Sequence, residues 1–318
     1  MTVLIEVRNL SKHYPSRDGK GLVRAVDDVS LAVEAGHTLG IVGESGCGKS
    51  TLARLMLRLI EPSDGDVIFN GESLLTLDGA ALRHRRRDIQ IVFQDPYASL
   101  DPRMNIAAIV SEPLDIHGIG TRPERRAKVL ELLDLVGLDR AAASKYPHEF
   151  SGGQRQRIGI ARAIALEPKL VVLDEPVSAL DVSIQSQILN LLIDLRQRLK
   201  LSYIFISHDL SVVEHVSDEV VVMYLGRVVE YGVAEQVFGS PLHPYTQALV
   251  SAAPEVDPAK KRQRIVLAGD PPNPENIPPG CSFHPRCPLV MEPCRRLQPS
   301  SSLVQDRVVA CWLHGNEF

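Results

Sequence analysis

"HTLGIVGESGCGKSTLARLMLRLI" (residues 37–60) is the stretch from which the fold can be read. "HTLGIV" (37–42) is a short apolar run of strand length that ends in a glycine loop, and "STLARLMLRLI" (50–60) then carries apolar residues at helical spacing. Between them stands the pattern G-x-x-x-x-G-K-[ST], filled by Gly43, Gly48, Lys49 and Ser50. Glycines let backbone N–H groups converge on phosphate oxygens with no Cβ in the way. The helix that follows aims its positive end at the same spot. Lys49 adds a mobile charge for β and γ phosphates, and the Ser50 hydroxyl suits Mg2+. Gly43, Glu44, Ser45, Gly46, Cys47, Gly48, Lys49, Ser50 and Thr51 are therefore expected to line one anion seat. Cys47, close to Lys49 and a helix N-terminus, is expected to be thiolate-prone and open to alkylating agents.

Outward from this loop, "DIQIVF" (88–93), "KLVVLD" (169–174) and "SYIFIS" (202–207) are apolar throughout, as strands buried on both faces are. "SIQSQILNLLIDLRQRL" (183–199) has helical spacing. Alternating strands and helices predict a parallel sheet flanked by helices, an α/β fold. From about Pro96 to Ala165 the pattern turns helical, which predicts an inserted helical subdomain. "EVVVMYLGRVVEYG" (219–232) predicts a hairpin turning at Gly226. After Val250, "AAPEVDPAKKRQR" and "GDPPNPENIPPG" read as linker, too rich in proline for a helix or a central strand.

Polar residues close the buried strands. Asp174 ends "KLVVLD" with Glu175 one step beyond; Gln94 follows "IVF" and His208 follows "IFIS". Ligands gather at the carboxyl ends of strands in open parallel sheets. Asp174 suits the Mg2+ shell and Glu175 a water to be polarised. "FSGGQRQRIGIARA" (150–163) opens a helix with a serine and two glycines, a second anion seat about a hundred residues downstream.

The 318 residues carry a net charge of −4 and are 44% hydrophobic and 23% charged, the balance of an ordinary globular protein. That sign argues against a broad nucleic-acid surface; the basic tract Arg83–Arg87 reads as a solvated face. No apolar run reaches the ~18 residues that span a bilayer. The start, "MTVLIEVRNLSKHY", lacks the pattern of a secretory signal. A cytoplasmic location with reduced thiols is expected.

The loop at 43–51, Gln94, "SGGQ", "LVVLDE", "SALD" and His208, in this order, resemble the motifs of ABC-type ATPases over about residues 3–250. The resemblance implies a P-loop domain with a RecA-like parallel sheet core, an antiparallel β subdomain and the helical insertion. It implies that two such domains pair head to tail, so that Ser151, Gly152, Gly153 and Gln154 reach ATP held by the partner's loop. It further implies that Tyr14 stacks on adenine, that Gln94 senses Mg2+ and the attacking water, that Glu175 is the catalytic base, that His208 contacts the γ phosphate, and that Asp181 couples the two sites. The Mg2+ shell would include Ser50, Gln94 and Asp174.

"QDPYASLDPRM" (94–104) and "GSPLHPYTQALVSAAP" (239–254) resemble the oligopeptide and dipeptide importer ATPases. That branch implies a second ABC ATPase subunit, often non-identical, two integral membrane permease subunits and an extracytoplasmic substrate-binding protein, with the ATPase on the cytoplasmic face of the membrane. Relatives of this group also move nickel, glutathione and sugars. The rival class, soluble ABC proteins of translation or DNA repair, usually has two cassettes or long insertions that this sequence lacks.

The expected domains are 1–250, the ATPase with its helical part at 96–165, and 251–318, an extension holding Cys281, Cys287, Cys294 and Cys311. Four cysteines in an irregular, proline-rich segment read either as small buried hydrophobes or as metal ligands. Their spacing is wider than paired C-x2-C zinc modules, and four thiolates also suit an iron–sulfur cluster. The family resemblance favours a [4Fe–4S] cluster over Zn2+.

Overall fold

The computed structural model describes residues 2–16, 21–95, 97–253 and 264–314. The chain forms two compact units that alternate along the sequence. One contains Glu34–Gly36 and Thr76–Phe205; the other contains Thr2–Val33, His37–Leu75 and Ile206–Phe318.

The second unit opens with β1 (Val3–Pro15) and β2 (Leu22–Glu34), then β3 (Thr38–Val42), α1 (Lys49–Met56), β4 (Asp64–Phe69) and β5 (Glu72–Ser73). A four-stranded sheet runs β2-β1-β4-β5, with β1 and β4 antiparallel at Ile5↔Phe69. β3 is buried at every residue, as its unbroken apolar run predicts.

The first unit carries α2 (Gly79–Arg85), β6 (Ile89–Val92), α3 (Ile106–Ile116), α4 (Arg122–Leu135), α5 (Gly152–Ile164), β7 (Leu170–Asp174), α6 (Val182–Leu199) and β8 (Ser202–Ile206, its last residue counted with the other unit). Its strands run β8-β7-β6, with β6 parallel to β7 at Ile89↔Leu170. β7 and β8 are fully buried. β6 is not: Gln90 and Ile91 are half-buried, because this strand ends the sheet rather than lying inside it.

Three α-helices, α3, α4 and α5, follow one another between β6 and β7; Pro96, the expected start of the helical part, lies outside the described residues. Asn105 caps α3 by accepting from the Ala108 N–H (2.9 Å), and Thr121 with Glu124 forms a capping box on α4. The apolar stripes Ile106–Ile109–Val110, Val129–Leu132–Leu133 and Ile158–Ala161 are buried.

The second unit resumes with α7 (Leu210–Val216), β9 (Glu219–Tyr224), β10 (Arg227–Val233), α8 (Ala234–Gly239) and α9 (Pro244–Ala252). β9 is parallel to β3, with Ile41 opposite Val221. β9 and β10 make the expected hairpin, turned by Leu225 (φ 45°) and Gly226 (φ 82°). Two left-handed residues are what a tight turn between right-twisted strands requires.

Residues 254–263 of the linker-like stretch lie outside the described residues. Beyond them come short 3-10 turns, and then two strands that the sequence reading did not foresee, β11 (Ser302–Val304) and β12 (Arg307–Val309). Gln305 (φ 50°) and Asp306 (φ 59°) turn this hairpin, and β12 pairs antiparallel with β10, Val309 opposite Glu230. The strand order of this unit's larger sheet is therefore β11-β12-β10-β9-β3. Arg307 and Glu230 meet there, both buried. The Glu230 carboxylate accepts the Leu242 and His243 N–H groups (3.0 and 2.9 Å), and Arg307 donates to Ser240 O (2.6 Å), Gln236 O (3.1 Å) and Glu230 (3.5 Å).

Candidate functional site

The loop from Gly43 to Gly48 joins the buried end of β3 to the first turn of α1. Gly43, Gly46 and Gly48 have φ of 152°, 80° and 106°, a backbone that side-chained residues rarely adopt. Gly48 is needed for a second reason: a Cβ there would collide with the Ala25 carbonyl of β2. At Gly46 a Cβ would meet nothing within 4 Å, so the tip of the loop faces open space, and Ser45 and Gly46 are exposed. Lys49 is buried and donates from Nζ to the loop's own carbonyls, Gly43 O (2.8 Å) and Glu44 O (3.0 Å). The cation expected to meet phosphate is thus held over the seat by groups that a stronger anion can outbid.

The seat is braced from behind. The Gly226 N–H donates to Cys47 O (2.9 Å), and Gly226 O accepts the Asp27 N–H (2.9 Å). The Glu44 N–H donates to the Tyr245 hydroxyl (2.9 Å), and both Glu44 carboxylate oxygens accept from Arg286 (2.7 and 3.0 Å). Neither Arg286 nor Tyr245 was singled out as a site residue in the sequence, where they stand some two hundred residues from the loop.

Cys47 differs from expectation. Its side chain is 4% exposed, and burial pushes its thiol above the usual cysteine range; the nearby Lys49 charge lowers it by less. The sulfur is therefore held as a neutral, enclosed thiol, not as a thiolate.

In the other unit, β7 delivers Asp174, buried, and Glu175, half-buried. Glu175 sits at φ 48°, an uncommon conformation for a side-chained residue, of the kind that gathers at functional sites. Gln94, exposed just past β6, donates from Nε2 to Glu175 Oε2 (2.8 Å). Two strand-end residues 81 positions apart are thereby one hydrogen-bonded pair.

Ser151 caps α5: its hydroxyl accepts the Gln154 N–H (3.4 Å), while Gln154 Oε1 accepts the Ser151 N–H (3.0 Å). Ser151 and Gln154 are exposed, Gly152 is half-buried and Gly153 buried. A Cβ on Gly153 would lie 2.5 Å from Ile184 Cγ2, so this glycine allows α5 to approach α6. Asp181 is exposed at the N-cap of α6, where its carbonyl accepts the Ile184 and Gln185 N–H groups (2.9 and 2.8 Å). In the phosphate-loop unit, His208 is exposed just past β8, and Tyr14, 37% exposed at the end of β1, has the Lys12 ammonium 5.1 Å from its ring centroid.

The expected metal at the four cysteines is not supported. Among the described residues no group of three or more His, Cys, Asp or Glu side chains is placed to hold a metal ion. All four are free thiols. Burial pushes Cys281 and Cys311 up to about 11 and raises Cys287. Thiolate is the ligand form, and burial works against it at Cys281, Cys287 and Cys311. Cys294 and Cys311 are buried and Cys281 and Cys287 half-buried, with the Cys281 N–H bonded to Cys294 O (2.9 Å).

The chain matches the family model described as ABC transporter over residues 26–178, and that described as oligopeptide/dipeptide transporter, C-terminal region, over residues 229–294. It is 52% identical over 313 residues to the dipeptide transport ATP-binding protein DppF of Escherichia coli, covering 97% of this chain and 94% of that one. With the oligopeptide transport ATP-binding protein AppF of Bacillus subtilis it shares 50% over 320 residues, covering 98% and 97%. Among solved structures, the ATP-binding cassette MJ0796, in a dimeric post-hydrolysis state bound to ADP and Pi, superposes with a TM-score of 0.66 at 30% identity, over 73% of this chain and 99% of that one. The cbiO1 protein of Clostridium perfringens, part of the ABC transporter complex cbiONQ, gives 0.66 at 29%, over 76% and 92%. A phosphate loop set between β3 and α1, a glutamine–glutamate pair at two strand ends and a serine–glycine helix cap thus occur in a chain that shares half its residues with such proteins along nearly its whole length: it belongs to the ABC transporter ATP-binding family, in the oligopeptide/dipeptide branch.

Proposed function

We propose that this chain is the ATP-hydrolysing subunit of a membrane importer for oligopeptides or dipeptides. The observation that carries the reading is the near-full-length identity to dipeptide and oligopeptide transport ATP-binding proteins, which extends through the C-terminal region. Among the described residues no helix is long and apolar enough to cross a membrane, so separate permease subunits would form the path and this chain would sit against their cytoplasmic side. A second ATPase subunit and an external substrate-binding protein complete the proposed assembly. Residues 1–250 are taken as the ATPase and 251–318 as its extension.

In the proposed mechanism, residues 43–51 hold the phosphates of one ATP, Lys49 exchanges its loop carbonyls for phosphate oxygens, and Tyr14 stacks on the base. Ser50, Asp174 and Gln94 offer hydroxyl, carboxylate and amide oxygens, a hard donor set that suits Mg2+, which would neutralise phosphate charge when bound. Glu175 accepts a proton from, and orients, the attacking water; Gln94, bonded to Glu175, is placed to shift with it. His208 meets the γ phosphate. Ser151, Gly152, Gly153 and Gln154 face the ATP of the partner subunit, which makes each nucleotide a bridge between subunits, and Asp181 links the two sites.

Glu175→Gln tests the chemistry. Turnover should fall by about 10²–10⁴, the usual worth of a general base, while ATP still drives subunit pairing seen by light scattering. Hydrolysis at the original rate would remove Glu175 from its role. For the cargo, cells lacking the gene should lose uptake of labelled di- or oligopeptides and regain it with the wild-type gene; unchanged peptide uptake together with lost nickel or glutathione uptake would reassign the substrate.

A further inference from the structure

The phosphate loop contains a carboxylate, Glu44, where a triphosphate is to bind. Left alone, a negative charge one residue into the seat would oppose the ligand and leave the loop free to sample other shapes. The structure answers both problems from the far end of the chain. Arg286 closes a two-bond fork on Glu44, Nη1 to Oε2 at 2.7 Å and Nη2 to Oε1 at 3.0 Å, with the arginine side chain 7% exposed and the glutamate 27%. Tyr245, fully buried at the first turn of α9, accepts the Glu44 N–H (2.9 Å). Both groups stand on one rigid support. Arg286 ends the 3-10 turn His284–Arg286, and Phe283 just before it is buried among Tyr224, Tyr245 and His243, with ring centroids 5.2, 5.4 and 5.7 Å away. Tyr224, in turn, is the last residue of β9, the strand parallel to β3, from which the loop springs.

We propose that Arg286 and Tyr245 are positioning residues of the ATP seat. Arg286 neutralises Glu44 and fixes its side chain, Tyr245 fixes its backbone, and together they preorganise the loop so that ATP meets N–H groups already in place. A buried bidentate arginine has the geometry for this; a lysine, with one point charge, supplies the neutralisation without the fork. The inference rests on residues 43–51 being the ATP seat.

The test is steady-state ATP hydrolysis and binding of a fluorescent ATP analogue, both on the full chain. Arg286→Ala should raise KM for ATP and the analogue Kd about tenfold, a change worth about 1.4 kcal/mol, with kcat within about twofold. Glu44→Gln added to Arg286→Ala should bring KM back to within about threefold of wild type, because the unpaired charge is gone. A purely structural arginine would lower the melting temperature without that rescue. An unchanged KM in Arg286→Ala, or a rise that Glu44→Gln leaves intact, overturns the proposal. If Arg286→Ala fails to fold, Arg286→Lys and Tyr245→Phe carry the test: each should raise KM about two- to fivefold with melting temperature retained, and wild-type KM in both overturns it. Lys49→Ala is the control for the seat itself. Wild-type analogue binding in that variant would sink the seat reading, whereas lost binding there with unaffected Arg286 variants would sink only the positioning role.

Discussion

At the scale of single residues, two positions show how motif and packing share the same letters. Gly153 looks in the sequence like a residue chosen for an anion, yet its missing Cβ is already demanded by Ile184 at 2.5 Å. Ile184 is β-branched and stiff in its helix, so it cannot swing aside cheaply. Gly153→Ala should therefore cost about 1–3 kcal/mol in urea denaturation, as overpacked cores do, and Ile184→Ala should restore most of it in the double variant. No recovery would place the loss elsewhere. Cys47 makes the opposite point. Its neighbours in sequence, a lysine and a helix start, suggested a reactive thiolate, but burial outweighs Lys49. Iodoacetamide at pH 7.5 should label it at least about tenfold more slowly than a free model thiol, whose pKa of about 8.5 sets the reference; equal rates would contradict the enclosure. What could be read residue by residue was the pattern of Gly43, Lys49, Gln94, Asp174 and Glu175. The Gln94–Glu175 bond was not written anywhere, because pairing across 81 positions depends on how β6 and β7 align.

At the scale of elements, periodicity served well wherever burial is uniform. The runs at β3, β7 and β8 and the long spacing of α6 all gave their elements directly, and Gly226 marked its hairpin. The tail hairpin escaped because its strands hold three residues each, too short for alternation to register, and because its turn uses Gln305 and Asp306 instead of glycine. That small element nevertheless brings Arg307 to Glu230. Arg307→Met leaves a buried carboxylate without its cation, and should destabilise the chain by about 3–5 kcal/mol; Glu230→Gln with Arg307→Met should recover part of this. Equal stability of Arg307→Met and wild type in guanidinium would show the pair to be idle. Beside it, His243 caps α9, its Nδ1 accepting the Tyr245 N–H (3.0 Å), and burial drives its pKa down to about 3 from 6.5. Between those values the unfolded chain binds a proton that the folded chain refuses. Stability from this group is therefore complete above pH 6.5 and declines as pH falls toward 3, by up to ~1.4 kcal/mol per pH unit. Urea midpoints taken from pH 7 to pH 5 should fall more steeply in wild type than in His243→Asn, which keeps an acceptor at the cap without titrating. Parallel slopes would exclude His243 as the source.

At the scale of the whole molecule, the family was legible from the order of the motifs, the phosphate loop, the SGGQ helix start and the Asp174–Glu175 strand end, and the match to the ABC transporter model over residues 26–178 spans all three. What the order could not convey is the company the tail keeps. Composition set the last seventy residues apart as a linker and an irregular extension, but the described part of them lies in the same compact unit as the phosphate loop. Several of its side chains bind the rest of that unit: Phe283 among Tyr224 and Tyr245, Arg286 on Glu44, Arg307 on Glu230 and His314 on Leu242 O. A chain ended at residue 263 should consequently lose at least about 3 kcal/mol from Glu230 alone, and be recovered mainly in inclusion bodies. Soluble, ATP-hydrolysing material from such a truncation would contradict this account. The placement of β12 has a bearing on biosynthesis as well. A ribosome that has finished residue 250 has already spelled out every hydrolysis motif, yet the nascent chain still shows β10 with an unclaimed border and Glu230 with no counterion. β12 leaves the exit tunnel only after that border and that carboxylate have been exposed, so a message cut short before residue 307 yields a chain with both uncovered.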